Sequence, residues 1–442
     1  MPQLLDLYLD QHDSPANHLQ RYASSTNRGE VMHISITTEL LGEHPQLLDI
    51  AAPELGSDPA FTSWVRGGDG LIGLGLYKRH VVTGSNRFQD ARNWWRNEIS
   101  SLDIHNNVHG SGTGPVLFTS FAFDPSEESI LLIPEVVIGR RNGKSWITWV
   151  GAKPQPALQT AAIIKTEIAL TWSGSNGDVW QERVARAVAK IKEGSLEKVV
   201  LARFATATSD KPISTRNILK QLAKEYPSTW VYSNSGLVGA TPELLVRLSK
   251  SLVTSRILAG TIRKTGDDER DLALAGSLAR SSKDLEEHEY AVRSVADALT
   301  PLCSSMNVPE SPFVLHLSNV MHLATDVTGV LSDSSSPSDI FDLVSKLHPT
   351  AAVCGTPTDL AQRTIDEIEG ISRGRYAGPI GWIDANGDGE LGIALRCGQI
   401  SSDNQSIRIY AGCGILAGSD PEREYAESQA KLLPMRTALE NH

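Results

Sequence analysis

Apolar and polar residues alternate in short segments over the first 150 residues, which indicates a strand-rich region. Strand candidates of this part lie at residues 31–36, 71–76, 116–123, 129–133 and 145–150. Aromatic residues at helical spacing predict one helix over 88–99, and the Gly/Ser/His-rich segment 105–115 predicts a loop. Residues 154–163 are expected to connect this part to the second half of the chain.

The second half alternates helix and strand patterns. Helices are predicted over 179–193, 215–225 and 284–299 and from Pro421 onwards, and strands over 198–207 and 229–233. Gly194 suits the position after a helix, and Pro421 suits the first helical position after the cap candidates Ser419 and Asp420, with Glu422 completing a capping-box pattern. Strands outnumber helices while both recur, so the predicted class is α+β.

Composition narrows the class of protein. The 442 residues carry 41 basic and 52 acidic side chains, a net charge of −11, with 40% hydrophobic residues. No stretch approaches a membrane span, and no basic patch favours nucleic acid. The N-terminus lacks the pattern of a signal peptide. The four cysteines are far apart and form no CxxC pair, so neither a disulfide framework nor a zinc site is indicated. We expect a soluble cytoplasmic protein.

Two tempting motifs are better explained as hairpins. GLIGLGLYK, at residues 70–78, has Lys78 where a dinucleotide fingerprint needs its third glycine. DANGDGELG, at residues 384–392, starts like an EF-hand loop, but Leu395 occupies the place of the bidentate glutamate. The Asn-Gly and Asp-Gly dipeptides favour a hairpin turn.

Lys198 and Glu243 are charges in otherwise apolar surroundings. Lys198 is either an edge residue whose ammonium reaches solvent or a buried lysine with a lowered pKa that can act as a base. Glu243 follows a proline and precedes an apolar run, so it is either a first-turn helix residue or a functional carboxylate.

Two pairs of acidic residues are spaced to share a helix face. Asp284 and Glu287 are three residues apart, and so are Glu424 and Glu427, with Lys431 four residues further on. Each pair is either a solvated face or half of an oxygen-only cation site. Since no His or Cys accompanies them at ligand spacing, such a site suits Mg²⁺ better than zinc.

A third set of residues suits a bound anion. Arg396 ends a strand, and Gly412 and Gly414 could turn backbone N–H groups towards a carboxylate. His322 and Tyr376 are either satisfied core residues or further polar groups of the same site. From the residues alone we predict a Mg²⁺-dependent enzyme that acts on a small acidic substrate.

The ordered motifs of the second half resemble those of the chorismate-utilising enzymes, which include isochorismate, salicylate, anthranilate and aminodeoxychorismate synthases. The motifs run from residue 198 to 433 and read KVVLAR, GATPELL, ILAGTI, KDLEEHEYAV, HLATDVTG, HPTAAVCGTP, EGISRGRYAGPIGW, IALRCG, YAGCGI and EREYAESQAKL. The N-terminal part matches loosely, through WVRGGDGLIGLG and the aromatic helix. We therefore expect an N-terminal part, 1–175, and a chorismate-binding catalytic part, 176–442.

The resemblance implies one large α/β sandwich of two extended, mainly antiparallel sheets with outer helices. It implies that Lys198 activates water and that Glu243 protonates the leaving hydroxyl. It also implies direct Mg²⁺ ligation by Glu287 and Glu427, with Asp284 and Glu424 acting through water. The remaining residues implied to contact the substrate are Gly260, Thr261, His322, Tyr376, Arg396, Gly412, Gly414 and Lys431.

The choice among the relatives depends on the nucleophile. Ammonia-using relatives usually carry glutamine at the position of Lys198, and relatives that form a covalent adduct carry lysine at the position of Ala259. Both residues therefore favour water, and the wording of SRGRYAGPIGW and HPTAAVCGTP favours isochorismate synthase. Salicylate synthase and a non-catalytic chorismate-binding homologue remain the alternatives. We expect a monomer; whether its product feeds menaquinone or siderophore synthesis stays open.

Overall fold

The computed structural model describes residues 34–42, 46–51, 60–153, 159–160, 168–174, 177–332 and 338–441. Its strands, in chain order, are β1 (Ile34–Leu41), β2 (Ile50–Ala51), β3 (Phe61–Arg66), β4 (Asp69–Leu74), β5 (Lys78–Val82), β6 (Leu102–Asn106), β7 (Val116–Ser120), β8 (Ser129–Ile133), β9 (Val136–Arg141), β10 (Lys144–Val150), β11 (Gln159–Thr160), β12 (Leu170–Gly174), β13 (Lys198–Ser209), β14 (Trp230–Asn234), β15 (Leu237–Thr241), β16 (Leu244–Ser249), β17 (Leu252–Arg263), β18 (Cys303–Asn307), β19 (Phe313–His316), β20 (Val320–Leu331), β21 (Gly355–Thr356), β22 (Pro379–Asp384), β23 (Gly389–Ile393), β24 (Cys397–Ile400) and β25 (Ser406–Ile415).

The α-helices of the described residues are α1 (Arg87–Ser100), α2 (Gly177–Lys192), α3 (Thr215–Glu225), α4 (Asp268–Leu278), α5 (Ser282–Leu299), α6 (Ile340–Leu347), α7 (Thr358–Ile368) and α8 (Pro421–Glu440). Short 3₁₀ turns occur at Leu47–Asp49 and Thr300–Leu302. Of the helices in the described part of the chain, none is long and apolar enough to cross a membrane.

Two large sheets contain almost all of these strands. The first sheet has the order β12-β13-β25-β24-β15-β14-β3-β4-β9-β10-β1-β6, with β21 paired to β13, and the second has the order β18-β20-β17-β16-β23-β22-β7-β8-β5, with β19 paired to β20. All strand pairs in them are antiparallel except β1 with β6. Both sheets combine strands from the two parts of the sequence, since β14 pairs with β3 and β22 pairs with β7.

The main core lies between the two sheets. Trp64 of the first sheet and Phe118 and Trp382 of the second are almost completely buried in one apolar cluster. A hydrogen bond from Trp64 Nε1 to Glu390 Oε2 (3.0 Å) also joins the sheets. Burying large aromatic side chains stabilises the sandwich by roughly 2–3 kcal/mol each.

Helices cover the outer faces. Apolar residues of α3 and α8, among them Leu222 and Met435, pack on Ile407 and Ile409 of β25. Helix α5 packs on β17 and β20, and α7 packs on β13. Strands β13, β17, β20 and β25 and helices α5 and α8 are thereby held together at one end of the sandwich, where the candidate site lies.

The architecture confirms the predicted α+β class with two mainly antiparallel sheets and outer helices. The aromatic helix, the helix 215–225 and the hairpin β22–β23 are present. The hairpin predicted within residues 70–78 is wrong: β4 pairs with the preceding strand β3, and β5 pairs with β8 in the other sheet. The strand predicted at 31–36 starts outside the described residues and continues to Leu41, and most of the connection 154–163 also lies outside them. Helix α8 begins at Pro421 as predicted, but Asp420 is the cap and accepts from Arg423 N, so the capping box through Glu422 is wrong.

Candidate active site

A cleft between the two sheets brings together most of the predicted site residues. Ten of the fourteen line it: Glu243, Gly260, Thr261, Glu287, His322, Tyr376, Arg396, Gly412, Gly414 and Lys431. The other four are adjacent. Lys198 contacts Glu287, Glu427 contacts Lys431, and the Asp284 side chain lies against Gly260. Glu424 lies beside Glu427 on the same helix, so the sequence set forms one cluster in space.

Lys198 is completely buried, with 0% of its surface exposed, so the edge alternative is wrong. Strand β13 pairs with β21 at Lys198 and with β25 from Val199 onwards, which encloses the residue between neighbours. Its Nζ lies 3.4 Å from Glu287 Oε1, but it forms no hydrogen bond of good geometry among the described residues. Burial lowers the pKa of Lys198, although the Glu287 carboxylate opposes the change.

Glu243 lies in the bend between β15 and β16, so the first-turn helix alternative is wrong. Its backbone is fixed by Thr241 Oγ1, which accepts from Glu243 N (3.2 Å), and by Ile393 N, which donates to Glu243 O (3.3 Å). The side chain is 4% exposed, and burial raises the pKa of Glu243 to about 8, with the charges of Lys198, Arg396 and Lys431 limiting the rise. The carboxyl group is therefore a proton donor near neutral pH.

Arg396 is held by a histidine whose tautomer follows from the contacts. Because a guanidinium only donates, His322 Nε2 accepts from Arg396 Nη2 (3.1 Å), and Nδ1 must carry the hydrogen that bonds Thr261 Oγ1 (3.0 Å). Burial and then Arg396 lower the pKa of His322 well below its ordinary value, so the ring stays neutral. Because the Thr261 hydroxyl accepts this hydrogen bond, its own hydrogen can be donated to a ligand. Arg396 also has a left-handed backbone (φ 49°), a conformation common at binding sites.

The glycines of β25 leave room that a side chain would fill. A Cβ at Gly412 would lie 2.8 Å from Tyr376 Oη, and one at Gly414 would clash with Glu287 Oε1. Gly412 O accepts from Lys431 Nζ (2.9 Å), so the Gly412 peptide groups point away from the β13 ladder and towards the cleft. Gly414 is two residues further along β25, so its peptide groups point to the same side as those of Gly412. Both backbone N–H groups are thus placed to meet an anion.

Gly260 forms a bulge that adjusts the position of Thr261. The register of β17 against β20 shifts between Ala259 and Thr261, and Gly260 has φ +76°. A Cβ there would also approach Asp284 Cβ at 3.0 Å, so the left-handed backbone and the close packing of α5 both favour glycine.

Helices α5 and α8 bring the two acidic pairs together. Lysine side chains partner three of the carboxylates: Lys198 with Glu287, Lys431 with Glu427 (2.6 Å) and Lys283 with Glu424 (2.8 Å). Burial and the Glu427 charge raise the pKa of Glu424 to about 7.

A cysteine that is not at ligand spacing along the sequence lies close to these acids in the fold. Ligand atoms of Cys413, Glu424 and Glu427 lie within 4.8 Å of one another. The Cys413 thiol donates to Glu424 O (3.3 Å), and burial and Glu427 raise the thiol pKa well above its ordinary value. The thiol already has a backbone partner and Mg²⁺ prefers oxygen ligands, so the carboxylate oxygens remain the relevant donors.

Several residues of the site were not predicted from the sequence. Besides Ala259, which the sequence already indicated, the further lining residues are Val200, Pro242, Leu258, Ala352, Val353, Ala377 and Leu395. Most are apolar and have no chemical signature in a sequence. Lys283 was also missed, although it directly precedes Asp284.

A larger cavity of about 440 Å³ lies elsewhere between the sheets. Its buried carboxylate, Glu390, accepts from Trp64 and pairs with Arg141 (2.8 Å) and Arg247 (3.1 Å). The charge of Glu390 is thus compensated by two arginines, whereas the cleft near Glu243 combines a base, an acid and an anion-binding end. The smaller cleft is therefore the candidate active site.

Comparisons with known proteins identify the family of the chain. The profile of the family described as "Chorismate binding enzyme" matches residues 18–163 and 152–440, which extends the resemblance into the N-terminal part. Isochorismate synthase MenF of Bacillus subtilis (strain 168) is 33% identical over 408 residues, covering 84% of this chain and 85% of the relative.

Solved structures show the same fold. The crystal structure of a putative 2,3-dihydroxybenzoate-specific isochorismate synthase, DhbC from Bacillus anthracis, has a TM-score of 0.73 at 28% identity, covering 88% of this chain and 100% of that one. The menaquinone-specific isochorismate synthase MenF from Escherichia coli has a TM-score of 0.76 at 24% identity, covering 96% and 98%. With the profile spanning most of the sequence, this chain belongs to the chorismate-binding enzyme family.

Proposed function

We propose that this chain is an isochorismate synthase, an isomerase that converts chorismate to isochorismate with Mg²⁺. The observation that carries the proposal is that a buried lysine and a buried glutamate lie at one cleft, whose lining also includes the cationic side chains of Arg396 and Lys431. Membership of the family and the names of the relatives support it.

Lys198 supplies the base in this proposal. Burial disfavours its charged form, so the amine can take a proton from a water molecule that attacks C2 of the substrate ring. Its Nζ lies 3.4 Å from Glu287 Oε1 and its Cε lies close to Gly414, and both of these residues line the cleft.

Glu243 supplies the acid. Its carboxyl group is protonated near neutral pH and gives its proton to the 4-hydroxyl, which leaves as water. One water oxygen is bound at C2 and one is lost from C4, with the ring double bonds shifting between them, so the reaction is a net isomerisation. The proton gained by Lys198 and the proton lost by Glu243 balance through solvent.

The cationic end holds the enolpyruvyl carboxylate. Arg396 is fixed by His322, Lys431 is fixed by Glu427 and Gly412 O, and the N–H groups of Gly412 and Gly414 add neutral donors. A dicarboxylate that enters a protein of net charge −11 needs such local cations. Tyr376 also lines this end of the cleft, and its ring stacks on that of Tyr410 with 5.0 Å between the ring centroids.

The four carboxylates of Asp284, Glu287, Glu424 and Glu427, here called the acidic cluster, fit a hard divalent cation. Glu424 Oε2 is buried without a hydrogen-bond partner among the described residues, and the Glu287 carboxylate fills the space that a Cβ at Gly414 would take. We assign Glu287 and Glu427 as direct ligands, with Asp284 and Glu424 acting through water, because Mg²⁺ prefers few carboxylates and retains waters. Bound there, Mg²⁺ would hold the ring carboxylate of the substrate and neutralise the acidic cluster.

The proposed reaction is tested by its product. Purified protein given chorismate and Mg²⁺ at neutral pH should accumulate isochorismate to an equilibrium, followed by chromatography. EDTA in place of Mg²⁺ should abolish turnover. Pyruvate, measured with lactate dehydrogenase, should stay at the uncatalysed background.

Each other outcome has a distinct meaning. Stoichiometric pyruvate together with salicylate fluorescence would assign the protein to the salicylate synthases. No turnover at all, with chorismate still bound, would favour a non-catalytic homologue. Full activity after exhaustive chelation would exclude the assignment of Glu287 and Glu427 as metal ligands.

The pKa of Glu243 predicts a loss of activity in mildly alkaline solution. Because the acid must be protonated and its pKa is about 8, kcat/KM should fall above about pH 8 with the slope of one proton. The charges that face Glu243 are those of Lys198, Arg396 and Lys431, which all hold the value down. A profile of kcat/KM that is flat to pH 10, with the fold intact by circular dichroism, would contradict this role.

Three further expectations accompany the proposal. We expect a cytoplasmic monomer that binds no nucleic acid, which light scattering and an electrophoretic mobility assay would check. The names of the relatives mention both menaquinone and 2,3-dihydroxybenzoate, so they do not select the use of the product.

A further inference from the structure

The acidic cluster contains one lysine that the proposed reaction does not use. Lys198 and Lys431 have roles in chemistry and substrate binding, whereas Lys283 only contacts Glu424. We propose that Lys283 is the resident counter-ion of the acidic cluster in the metal-free enzyme, and that it competes with Mg²⁺ and so weakens its binding. This inference rests on the proposed function.

The contact reaches from the surface to a buried carboxylate. The Lys283 side chain is 39% exposed and that of Glu424 only 2%, and Nζ lies 2.8 Å from Glu424 Oε1. The other oxygen, Oε2, is buried and unpartnered among the described residues, beside Glu427 and Cys413. Lys283 therefore compensates Glu424 on one side and leaves one oxygen for a second cation or its water.

The position of Lys283 along its helix supports a role in charge compensation. Ser281 caps α5 by accepting from Asp284 N (3.3 Å), so Lys283 lies in the first helical turn. A helix N-terminus carries partial positive charge and disfavours a lysine. The acidic residues of α5 and α8 offset this cost, and Glu424 holds the ammonium where it reduces their mutual repulsion.

The Lys283 ammonium and a bound Mg²⁺ would then both interact with the negative charge of the acidic cluster. Without metal, removing Lys283 leaves a buried carboxylate uncompensated, which lowers the stability of the fold. With metal, removing Lys283 takes away a cation that repels Mg²⁺, which strengthens metal binding. Because tighter Mg²⁺ binding stabilises the folded state more, adding Mg²⁺ should raise the Tm of a variant without Lys283 by more than it raises the Tm of the native protein.

The test compares Lys283→Met with the native full-length protein, without substrate. Mg²⁺ binding is measured by calorimetry, and Tm is measured in EDTA and in saturating MgCl₂. We expect Lys283→Met to lower the Kd for Mg²⁺ roughly two- to fivefold, the effect of one partly exposed charge. We expect its Tm to be below the native value in EDTA, and the gap to narrow in MgCl₂.

Two further variants separate charge from other effects. Lys283→Gln keeps a donor for Glu424 but not the charge, so it should also tighten Mg²⁺ binding, and it provides the measurement if the methionine variant does not fold. Lys78→Met removes a lysine of similar exposure (38%) that pairs with Glu98 in α1. It should leave the Kd for Mg²⁺ unchanged and shift Tm equally in both buffers.

Unchanged or weaker Mg²⁺ binding in both Lys283 variants would overturn the inference, and weaker binding would mean that Lys283 positions Glu424 for the metal. These results leave the proposed function standing as long as the native protein binds Mg²⁺ and forms isochorismate. If the native protein binds no Mg²⁺, the metal assignment fails first, and the inference fails with it.

Discussion

Replacing Lys198 by methionine is expected to lower kcat by about 10²- to 10⁴-fold, the usual contribution of a positioned general base. Methionine has a similar length and no basic nitrogen, so it removes the proton acceptor while filling the space in β13. The measurement is single-turnover conversion of chorismate to isochorismate at saturating Mg²⁺. Methionine fills the buried space of Lys198 but leaves the Glu287 carboxylate without its lysine, so circular dichroism should accompany the assay to check that the fold is intact.

Lys220→Met is the matched control for this variant. Lys220 lies in helix α3, on the outer face of the first sheet. Its side chain is 16% exposed and its Nζ lies 2.8 Å from Asp49 Oδ1. It should retain native kcat. Near-native turnover of Lys198→Met would refute the base, and an aminated product from the native enzyme in ammonium salts would indicate ammonia as the nucleophile.

Replacing Glu243 by glutamine is expected to reduce kcat by a similar factor, about 10²- to 10⁴-fold. The amide has nearly the same shape but cannot transfer a proton, and the 4-hydroxyl leaves poorly unless it is protonated. Chorismate binding should change little, because the neutral amide replaces a carboxyl group that is itself neutral near pH 7. Equilibrium binding and turnover of the same preparation therefore separate the chemical step from the binding step.

Glu98→Gln, in helix α1, is a suitable control for Glu243→Gln. Glu98 pairs with Lys78 and is 15% exposed, so this variant tests the effect of removing one partly buried carboxylate outside the cleft. It should keep native turnover. A Glu243→Gln enzyme with native kcat would mean that another group protonates the leaving oxygen.

Much of the fold could be predicted because its signals are local. The cap at Asp420 with Pro421, the periodicity of 215–225 and the Asn-Gly turn after β22 each fix an element through neighbouring residues. The order of the strands could not be read this way. The pairs β14–β3 and β22–β7 join residues more than 150 positions apart, and no local pattern selects such partners.

The site shows the same division between local and distant information. The acidic pairs could be recognised because helical spacing places each on one face, and Lys198 could be recognised as a charge in an apolar strand. Glu243 was ambiguous, since a residue after proline suits a helix start as well as the bend that it occupies. The contact of Lys283 with Glu424 and the approach of Cys413 depend on how α5, α8 and β25 pack.

The mixed origin of both sheets has a consequence for how this sequence can vary. All fourteen proposed site residues lie in the second part of the chain, yet its strands β14 and β22 have their open edges covered by β3 and β7. Without these partners the two edges would be free to recruit strands from other molecules. The first part therefore covers two strand edges of the second part that could otherwise pair with other molecules. A substitution that shifts the register along either of these two strand pairs is therefore expected to disturb the second part as well.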